Sequence, residues 1–176
     1  MVVCFYGSSR DQIDKKYKEE VYALGKAIAE HGHSLVYGGG GSGLMGACAK
    51  GVMDNNGLVI GVAPHFMAEI EKVTTDGTTL IWTGTMGERK DLMENNAEAF
   101  VIAPGGTGTF DEFFQVLVLK QLDRIDKPII LFNVDGFYDK LLDAIEDAVK
   151  RKFIKRSIYK KFKVCKSVDE IMKILG

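Results

Sequence analysis

The chain alternates short runs of consecutive apolar residues with longer stretches in which apolar residues recur every three or four positions. Runs that are apolar on successive residues are typical of strands covered on both faces, as in a parallel sheet. The longer stretches have the periodicity of helices that bury one side. Strands alternating with helices predict an α/β fold: a Rossmann-like, doubly wound, mostly parallel sheet with helices on both faces.

The pattern gives the approximate bounds of each predicted element. The strand candidates are Val2–Tyr6, Ser34–Tyr37, Leu58–Val62, Thr79–Trp82, Phe100–Ala103, Pro128–Asn133 and Phe162–Cys165. The helical stretches are 11–31, 43–55, 85–97, 109–123, 136–151 and 167–175. Asn56-Gly57 is a typical helix end and Ser167 a typical helix start, which supports two of these boundaries.

Three of the predicted strands end in loops that contain glycine. These loops are Gly7-Ser8-Ser9, Gly38 to Gly46 and Pro104 to Thr109. In a doubly wound sheet, ligands bind beyond the carboxyl ends of the strands, where the loops lead into helices. A single glycine loop is usually a tight turn, but three of them at carboxyl ends indicate a ligand site along one edge of the sheet.

Composition and charge narrow the class of protein. The 176 residues are 46% hydrophobic and 27% charged, an ordinary globular balance. We therefore expect residues 1–176 to form a single domain. The formal net charge of -1 argues against a dedicated binder of nucleic acid or of an anionic membrane. No apolar run approaches the ~20 residues of a membrane span.

The cysteines and the first residues of the chain indicate the cellular location of the protein. Cys4, Cys48 and Cys165 are odd in number and include no CxxC pair, which is typical of reduced core residues. The chain starts directly on a strand-like run, without the basic region and apolar core of a signal peptide. We therefore expect a cytoplasmic protein, and we expect it to carry neither a metal nor a cofactor.

The second glycine loop contains a formal GxGxxG from Gly41 to Gly46. Between a strand and a helix, this motif can place a dinucleotide pyrophosphate at the helix N-terminus. It follows the second predicted strand rather than the first, and the next strand lacks the acidic residue that would hold a ribose hydroxyl. Because its glycines allow close backbone approach to an anion, the loop favours a nucleotide or phosphate site over intact NAD.

Residues 86–90, MGERK, permit two interpretations. Arg89 and Lys90 lie beside Glu88 and Asp91, which is typical of a charged solvent face with local ion pairs. The segment also directly precedes the strand that leads into the third glycine loop. From that position a guanidinium could clamp a phosphate with its planar fork of donors.

Residues 103–112, APGGTGTFDE, also permit two interpretations. Thr109 to Glu112 fits the capping-box pattern S/T-x-x-E, a structural role worth ~1 kcal/mol. Alternatively, the N–H groups of Gly105 to Thr109 attract an anion, and the helix dipole holds Glu112 ionised in the first turn. Such a carboxylate would serve as a general base or as a stabiliser of positive charge. It would suit a sugar phosphate whose C1′ becomes cationic as an N-glycosidic bond breaks.

Together these motifs resemble those of a known family. Residues 104–112 match PGGxGTxxE, residues 86–90 match MxxRK, and residues 38–46 and 3–9 match the family's glycine loop and first strand. In this order they are similar to the LONELY GUY family of cytokinin riboside 5′-monophosphate phosphoribohydrolases. The resemblance implies hydrolysis of the N-glycosidic bond of a nucleoside 5′-monophosphate, either AMP or an N6-prenylated cytokinin riboside monophosphate. The products would be the free base and ribose 5-phosphate.

The resemblance also implies which residues act. Arg89 and Glu112 are expected to be catalytic. The expected substrate-binding residues are Ser8, Gly39, Gly40, Glu71, Lys90, Gly105, Gly106, Thr107, Gly108 and Thr109. Glu71 is assigned by its spacing as the acid that precedes MxxRK.

A homodimer, with sites near the subunit interface, is a further implication of the resemblance. The predicted helix at 110–122 is apolar nearly all round, so it should be buried on more than one side. That burial could be complete within one chain, or it could involve a second subunit.

Two other function classes remain open. A non-hydrolytic nucleotide-binding carrier or sensor could use the same glycine loops, although binding alone has little need of a carboxylate beside a phosphate. An NAD-dependent oxidoreductase is a more distant alternative. The family is often labelled lysine decarboxylase, but that reaction normally uses PLP on a Schiff-base lysine, and no sequence feature supports such a site.

Overall fold

A computed structural model describes residues 1–70, 73 and 77–176. The strands of this part are β1 (Val2–Tyr6), β2 (Ser34–Tyr37), β3 (Val59–Pro64), β4 (Thr79–Thr83), β5 (Ala99–Ile102), β6 (Ile129–Phe132) and β7 (Lys163–Cys165). Its α-helices are α1 (Lys15–Glu30), α2 (Gly43–Met53), α3 (Met86–Asn96), α4 (Thr107–Gln121), α5 (Asp139–Lys150) and α6 (Val168–Leu175). The predicted elements are confirmed, with ends that shift by a few residues.

The strand order determines where a ligand can bind. Across the sheet the order is β4-β3-β2-β1-β5-β6-β7, and the neighbouring strands are parallel. The chain therefore builds outward from β1 to β4 and then returns to place β5 on the other side of β1. Such a reversal is a topological switch point, and ligands bind in the crevice at the carboxyl ends of the two strands that flank it.

Separate apolar cores cover the two faces of the sheet. Helices α1, α2 and α6 pack on one face, where Leu24 and Ile171 are buried. Helices α3, α4 and α5 pack on the other, where Phe113 and Ile145 are buried. The predicted doubly wound α/β fold, with helices on both faces, is confirmed. Within the described residues, no helix is both long and apolar enough to cross a membrane.

Candidate active site

The three glycine loops lie at one edge of the sheet, as predicted, and they meet near the switch point. The N–H of Ser8 donates to the carbonyl of Pro104 at 3.1 Å, which joins the first loop to the third. The N–H groups of Leu44 and Met45 both donate to the carbonyl of Ser8, at 2.8 and 3.2 Å, which joins the first loop to α2. Between these loops and the start of α3 lies a cavity of about 270 Å³, here called the main cavity.

A buried ion pair lines the main cavity. Arg89 from α3 donates from Nη1 to Oε1 of Glu112 on α4 at 3.0 Å, and from Nε to the carbonyl of Val62 at 3.0 Å. Each of the two charged residues is only 7% exposed. The structure thus brings together the two residues expected to be catalytic, and the interpretation of Arg89 as part of a solvent face is wrong.

Side-chain hydrogen bonds at the N-terminus of α3 set the position of Arg89 on this helix. Oγ1 of Thr85 accepts from the N–H of Glu88 at 3.1 Å, and Oε2 of Glu88 accepts from the N–H of Gly84 at 2.8 Å. The helix therefore begins at Met86, and Arg89 lies one turn inside it. This cap was missed in the sequence, although Thr85-x-x-Glu88 carries the S/T-x-x-E signature.

Gly38 provides the space that the guanidinium occupies. A Cβ built on Gly38 would lie 2.0 Å from Nη2 of Arg89 and 3.1 Å from Sδ of Met45. Any larger residue at this position must displace the arginine. The sequence analysis assigned this loop to a ligand, and no sequence signal indicates that its first glycine instead accommodates a side chain from α3.

The other glycines of the second loop also have packing roles. Gly43 has φ +63, and a Cβ there would lie 2.5 Å from the carbonyl oxygen of Ser8. This close contact lets Ser8 accept the N–H groups of Leu44 and Met45 in the first turn of α2, so these two donors are already bonded. Gly39 packs near Ala63, with a virtual Cβ at 3.4 Å, and Gly40 bridges to the strand-like residue at position 73. Neither Gly39 nor Gly40 is among the described residues that line the main cavity.

The start of α4 differs from the prediction. The helix begins at Thr107, with Gly106 as its N-cap (φ -97, ψ -156), and the N–H of Phe110 donates to the Gly106 carbonyl at 3.0 Å. The predicted capping box is therefore wrong, because Thr109 lies inside the first turn and Glu112 in the second. Residues 106–109 line the main cavity, and the first N–H groups of a helix have no intrahelical partner. The N–H groups that could bind an anion therefore begin earlier along the chain than they would in a helix capped at Thr109.

Burial controls the ionisation of Glu112. It raises the pKa of the carboxyl group to about 7, although the Arg89 ion pair acts in the opposite direction. The prediction that Glu112 lies in the first turn, where the helix dipole would hold it ionised, is wrong. The carboxylate lies beyond the first turn, where the effect of the dipole fades, and desolvation outweighs it. A pKa near neutral pH suits a group that exchanges protons during turnover.

Comparison with known proteins identifies the family. A family model described as "Possible lysine decarboxylase" matches residues 45–175. Over 152 residues, the chain is 38% identical to the cytokinin riboside 5′-monophosphate phosphoribohydrolase LOG2 of Arabidopsis thaliana, covering 86% of this chain and 71% of that protein. A protein of the same activity name from Rhodococcoides fascians is 38% identical over 155 residues, covering 88% of this chain and 78% of its own length. The chain belongs to the LONELY GUY (LOG) family.

A further relative and a solved structure are also similar to this LOG-family chain. The phosphoribohydrolase LOG of Oryza sativa subsp. japonica is 40% identical over 152 residues, and the chain spans 63% of its length. A solved structure of the molybdenum cofactor carrier protein from Chlamydomonas reinhardtii superposes with a TM-score of 0.72 at 22% identity, over 99% of this chain and 94% of that one. At that identity the superposition shows a shared fold and nothing further.

The remaining residues that were predicted to bind substrate differ in their relation to the main cavity of this LOG-family chain. Ser8 lines the main cavity. Nζ of Lys90 donates to Oδ2 of Asp111 at 2.9 Å, so a second ion pair runs beside the first and joins α3 to α4, but Lys90 does not line the cavity in the described part of the chain. Gly105 packs against Thr109, whose Oγ1 would lie 2.1 Å from a Cβ at position 105. Glu71 lies outside the described residues.

The sequence analysis missed four residues that line the main cavity: Arg10, Met45, Met67 and Met86. Arg10 directly follows Ser8-Ser9 at the carboxyl end of β1, and its place next to a predicted ligand loop was a usable signal. The three methionines come from three separate elements, so only the tertiary fold brings them together. Their flexible thioether side chains form an apolar wall that can adapt to the shape of a ligand.

Proposed function

We propose that this LOG-family protein hydrolyses the N-glycosidic bond of a nucleoside 5′-monophosphate, releasing the free base and ribose 5-phosphate. The observation that carries the proposal is the buried Arg89–Glu112 pair, which lines the same cavity as the helix N-terminus at residues 106–109. The activity in the names of its relatives is consistent with this proposal. We further propose that residues 1–176 form one nucleotide-binding domain and that the protein works in the cytoplasm.

Each part of the site has a role in the proposed reaction. The 5′-phosphate binds the N–H groups of residues 106–109, with Ser8 beside them, which places C1′ near Glu112. As the bond from C1′ to the base breaks, its electron pair leaves with the base and C1′ becomes cationic. The Glu112 carboxylate stabilises that charge and accepts a proton from the attacking water. The base takes up a proton from solvent.

Arg89 acts on the reaction by holding Glu112. Its two hydrogen bonds, to Glu112 and to the carbonyl of Val62, fix the carboxylate relative to β3 and α3. The positive charge beside Glu112 also opposes the effect of burial on the pKa of that carboxyl group. We propose that Lys90, Gly39, Gly40 and Glu71 assist substrate binding, on the resemblance of the motifs alone.

A panel of nucleotides tests the proposed reaction. The protein is incubated with AMP and with isopentenyladenosine monophosphate, and free base and ribose 5-phosphate are both assayed. We expect the two products in equal amounts from at least one of these nucleotides. Tight binding across a wider panel, without release of base from any member, would contradict hydrolysis and favour a carrier.

A lysine decarboxylase does not fit the site. Decarboxylation of lysine would normally require a lysine that forms a Schiff base with PLP. The described residues that line the main cavity include no lysine, and Lys90 is paired with Asp111. We therefore do not propose decarboxylation of lysine for this chain, although the description of the family model names it.

The pH dependence of turnover should report the ionisation of Glu112. Because the carboxylate is the form assigned to catalysis, kcat/KM, which reports the ionisation of the free enzyme, should rise with pH through a midpoint of about 7. Inhibition by ribose 5-phosphate, measured over the same range, separates out the ionisation of the phosphate itself, whose second pKa is ~6. A midpoint near 4.5, the ordinary value for this carboxyl group, would show that Glu112 is solvated in solution.

The same pKa shift should make the free energy of unfolding fall as the pH rises, whereas it makes turnover rise. The pKa of Glu112 is higher in the folded state than the ordinary 4.5, so the folded state binds more protons between these values. The stabilisation from this group is fully present below about pH 4.5 and is lost as the pH rises through about 7. Across this window, denaturation should show that the free energy of unfolding of the wild-type protein falls as the pH rises. Glu112→Gln, which has no carboxyl group at this position, should lack that part of the decrease.

An apolar stripe on α4 supports a homodimer. Phe114, Val118 and Leu122 are spaced four residues apart, and they are 40%, 48% and 63% exposed in the single chain. The opposite side of α4 is buried in the core through Phe113 and Leu117. Complete burial of this helix within one chain is therefore wrong. We propose that a second copy covers the stripe, which would place the interface on the helix that carries Glu112.

The mass of the particle in solution tests this interface. We expect Val118→Glu to convert a dimer to a monomer in sedimentation equilibrium, because it places a charge in the middle of the apolar contact. Leu58→Glu is the matched control, since Leu58 is 71% exposed and lies away from α4. An unchanged mass for Val118→Glu, or a monomeric wild-type protein, would exclude this dimer.

A further inference from the structure

A second cavity adjoins the main one. It has a volume of about 320 Å³ and shares Ser8, Arg10 and Gly106 with the main cavity. Its other walls include Tyr17 of α1 and Phe137, which follows β6. Its size falls at the lower end of the ~300–1,000 Å³ typical of small-molecule sites. The reaction proposed above makes no use of it.

The walls of the second cavity divide by chemistry. Ile13, Tyr17 and Phe137 supply apolar and aromatic surface. The polar groups lie on the side shared with the main cavity, where Arg10 and Ser8 stand beside the N-cap of α4. The second cavity is therefore apolar away from the main cavity, and it is positively charged, through Arg10, at the border where the two cavities meet. A ligand that matches it has a planar apolar group joined to an anion.

The aromatic walls are held in place by contacts outside the cavity. Lys16, next to Tyr17 in sequence, pairs with Asp135 at 2.5 Å, which links α1 to the turn that carries Phe137. Asp135 has φ +52, a left-handed conformation that persists only where surrounding contacts hold it. On the other side of Phe137, the Tyr138 hydroxyl donates at 2.7 Å to a carbonyl just beyond the end of β5. These contacts link the segments that carry the two aromatic residues.

A Cβ on Gly106 would meet no atom within 4 Å, so the protein leaves the border between the cavities open at that point. The residues proposed to bind the 5′-phosphate begin at this same glycine. A phosphate at the border would have the nucleoside and Glu112 on one side, and Tyr17 and Phe137 on the other.

We propose that the second cavity is a subsite for a planar apolar group esterified to the 5′-phosphate, so that the protein accepts nucleoside 5′-phosphodiesters. This inference rests on the proposed function, which places the phosphate at the border. Arg10 pairs with the single negative charge of the diester, and the ring packs against Tyr17 and Phe137. The reaction is unchanged: water adds to C1′, the base leaves, and the phosphodiester bond stays intact.

Two synthetic esters isolate the contribution of the ring. Adenosine 5′-phenylphosphate and adenosine 5′-methylphosphate carry the same charge and the same nucleoside, and they differ only in the ester group. In isothermal titration calorimetry we expect the phenyl ester to bind about tenfold more tightly, from the apolar area that its ring buries. Equal affinities, or weaker binding of the phenyl ester, would overturn the subsite.

Variants of the aromatic walls localise the effect. In Phe137→Ala and in Tyr17→Ala the ratio of the two affinities should fall toward one. In the control Phe153→Ala, which removes an aromatic ring that is 79% exposed elsewhere, the tenfold ratio should persist. Circular dichroism checks folding, and either wall variant alone decides the question if the other fails to fold. An advantage of the phenyl ester that survives a folded wall variant places the ring elsewhere and overturns the proposal.

The test separates this inference from the proposed function. Calorimetry does not depend on turnover, and release of base from AMP is assayed independently with the wild-type protein. Ring-dependent binding without release of base would contradict the hydrolase alone. Release of base from AMP without ring-dependent binding would contradict the subsite alone.

Discussion

Glu112→Gln is expected to lower kcat by ~100-fold or more, because the amide can neither accept a proton from water nor balance the charge at C1′. The substitution is nearly isosteric, and the amide oxygen can still accept the hydrogen bond that Arg89 donates at 3.0 Å. We therefore expect the variant to fold and to bind nucleotide. Binding by calorimetry and single-turnover release of base would measure the two effects separately.

Asp111→Asn is the matched control for this experiment. Asp111 is the adjacent acid on α4 and also pairs with a cation from α3, but its side chain is 61% exposed. An exposed pair of this kind contributes at most ~1 kcal/mol to stability. We expect its turnover to stay within a few-fold of the wild type. Full turnover in Glu112→Gln would show that the carboxylate has a structural role only.

The fold was predictable because its signals are local. In β5, for example, four consecutive buried residues reflect helices on both faces of the strand, and that pattern is visible in the sequence as an unbroken apolar run. The meeting of the three glycine loops also followed from a general rule about the carboxyl ends of strands in doubly wound sheets. These inferences needed only periodicity and the order of elements along the chain.

The chemistry of the site was less predictable because it depends on tertiary contacts. The sequence analysis located Arg89 and Glu112 through their motifs, but the pKa of Glu112 depends on how deeply the carboxylate is buried, which no local pattern reports. The start of α4 was placed at Thr109 because the S/T-x-x-E pattern is a strong local signal, whereas the helix starts at Thr107, with Gly106 as an N-cap that has no side chain. The second cavity is assembled from three segments that are distant in the sequence, from residues 8–17 through residues 104–106 to Phe137.

Gly38→Ala is expected to lower kcat by ~100-fold without touching the substrate. The added Cβ would overlap Nη2 of Arg89, its nearest neighbour at 2.0 Å, so the guanidinium must move. The neighbours of that Cβ are ends of flexible side chains, so the fold should persist while the ion pair to Glu112 is displaced. A misplacement of ~1 Å in a catalytic group can cost this much in rate.

The pH profile of Gly38→Ala gives the mechanism a second check. Arg89 opposes the effect of burial on the pKa of Glu112, so its displacement should raise that pKa and move the midpoint of kcat/KM above about 7. The control is Gly87→Ala on the same helix as Arg89, where the added Cβ meets only an ordinary contact at 3.7 Å. That variant should keep its turnover and its midpoint.

Combining Gly38→Ala with Glu112→Gln tests whether both act through one ion pair. If the only effect of the alanine is to misplace Arg89 relative to Glu112, it should cost little further activity once the carboxylate is gone. The double variant should then be about as slow as Glu112→Gln alone. Losses that multiply would mean that Arg89 also acts independently of Glu112, for example on the leaving base. Wild-type turnover in Gly38→Ala would mean that catalysis does not require the guanidinium in the position that Gly38 leaves open.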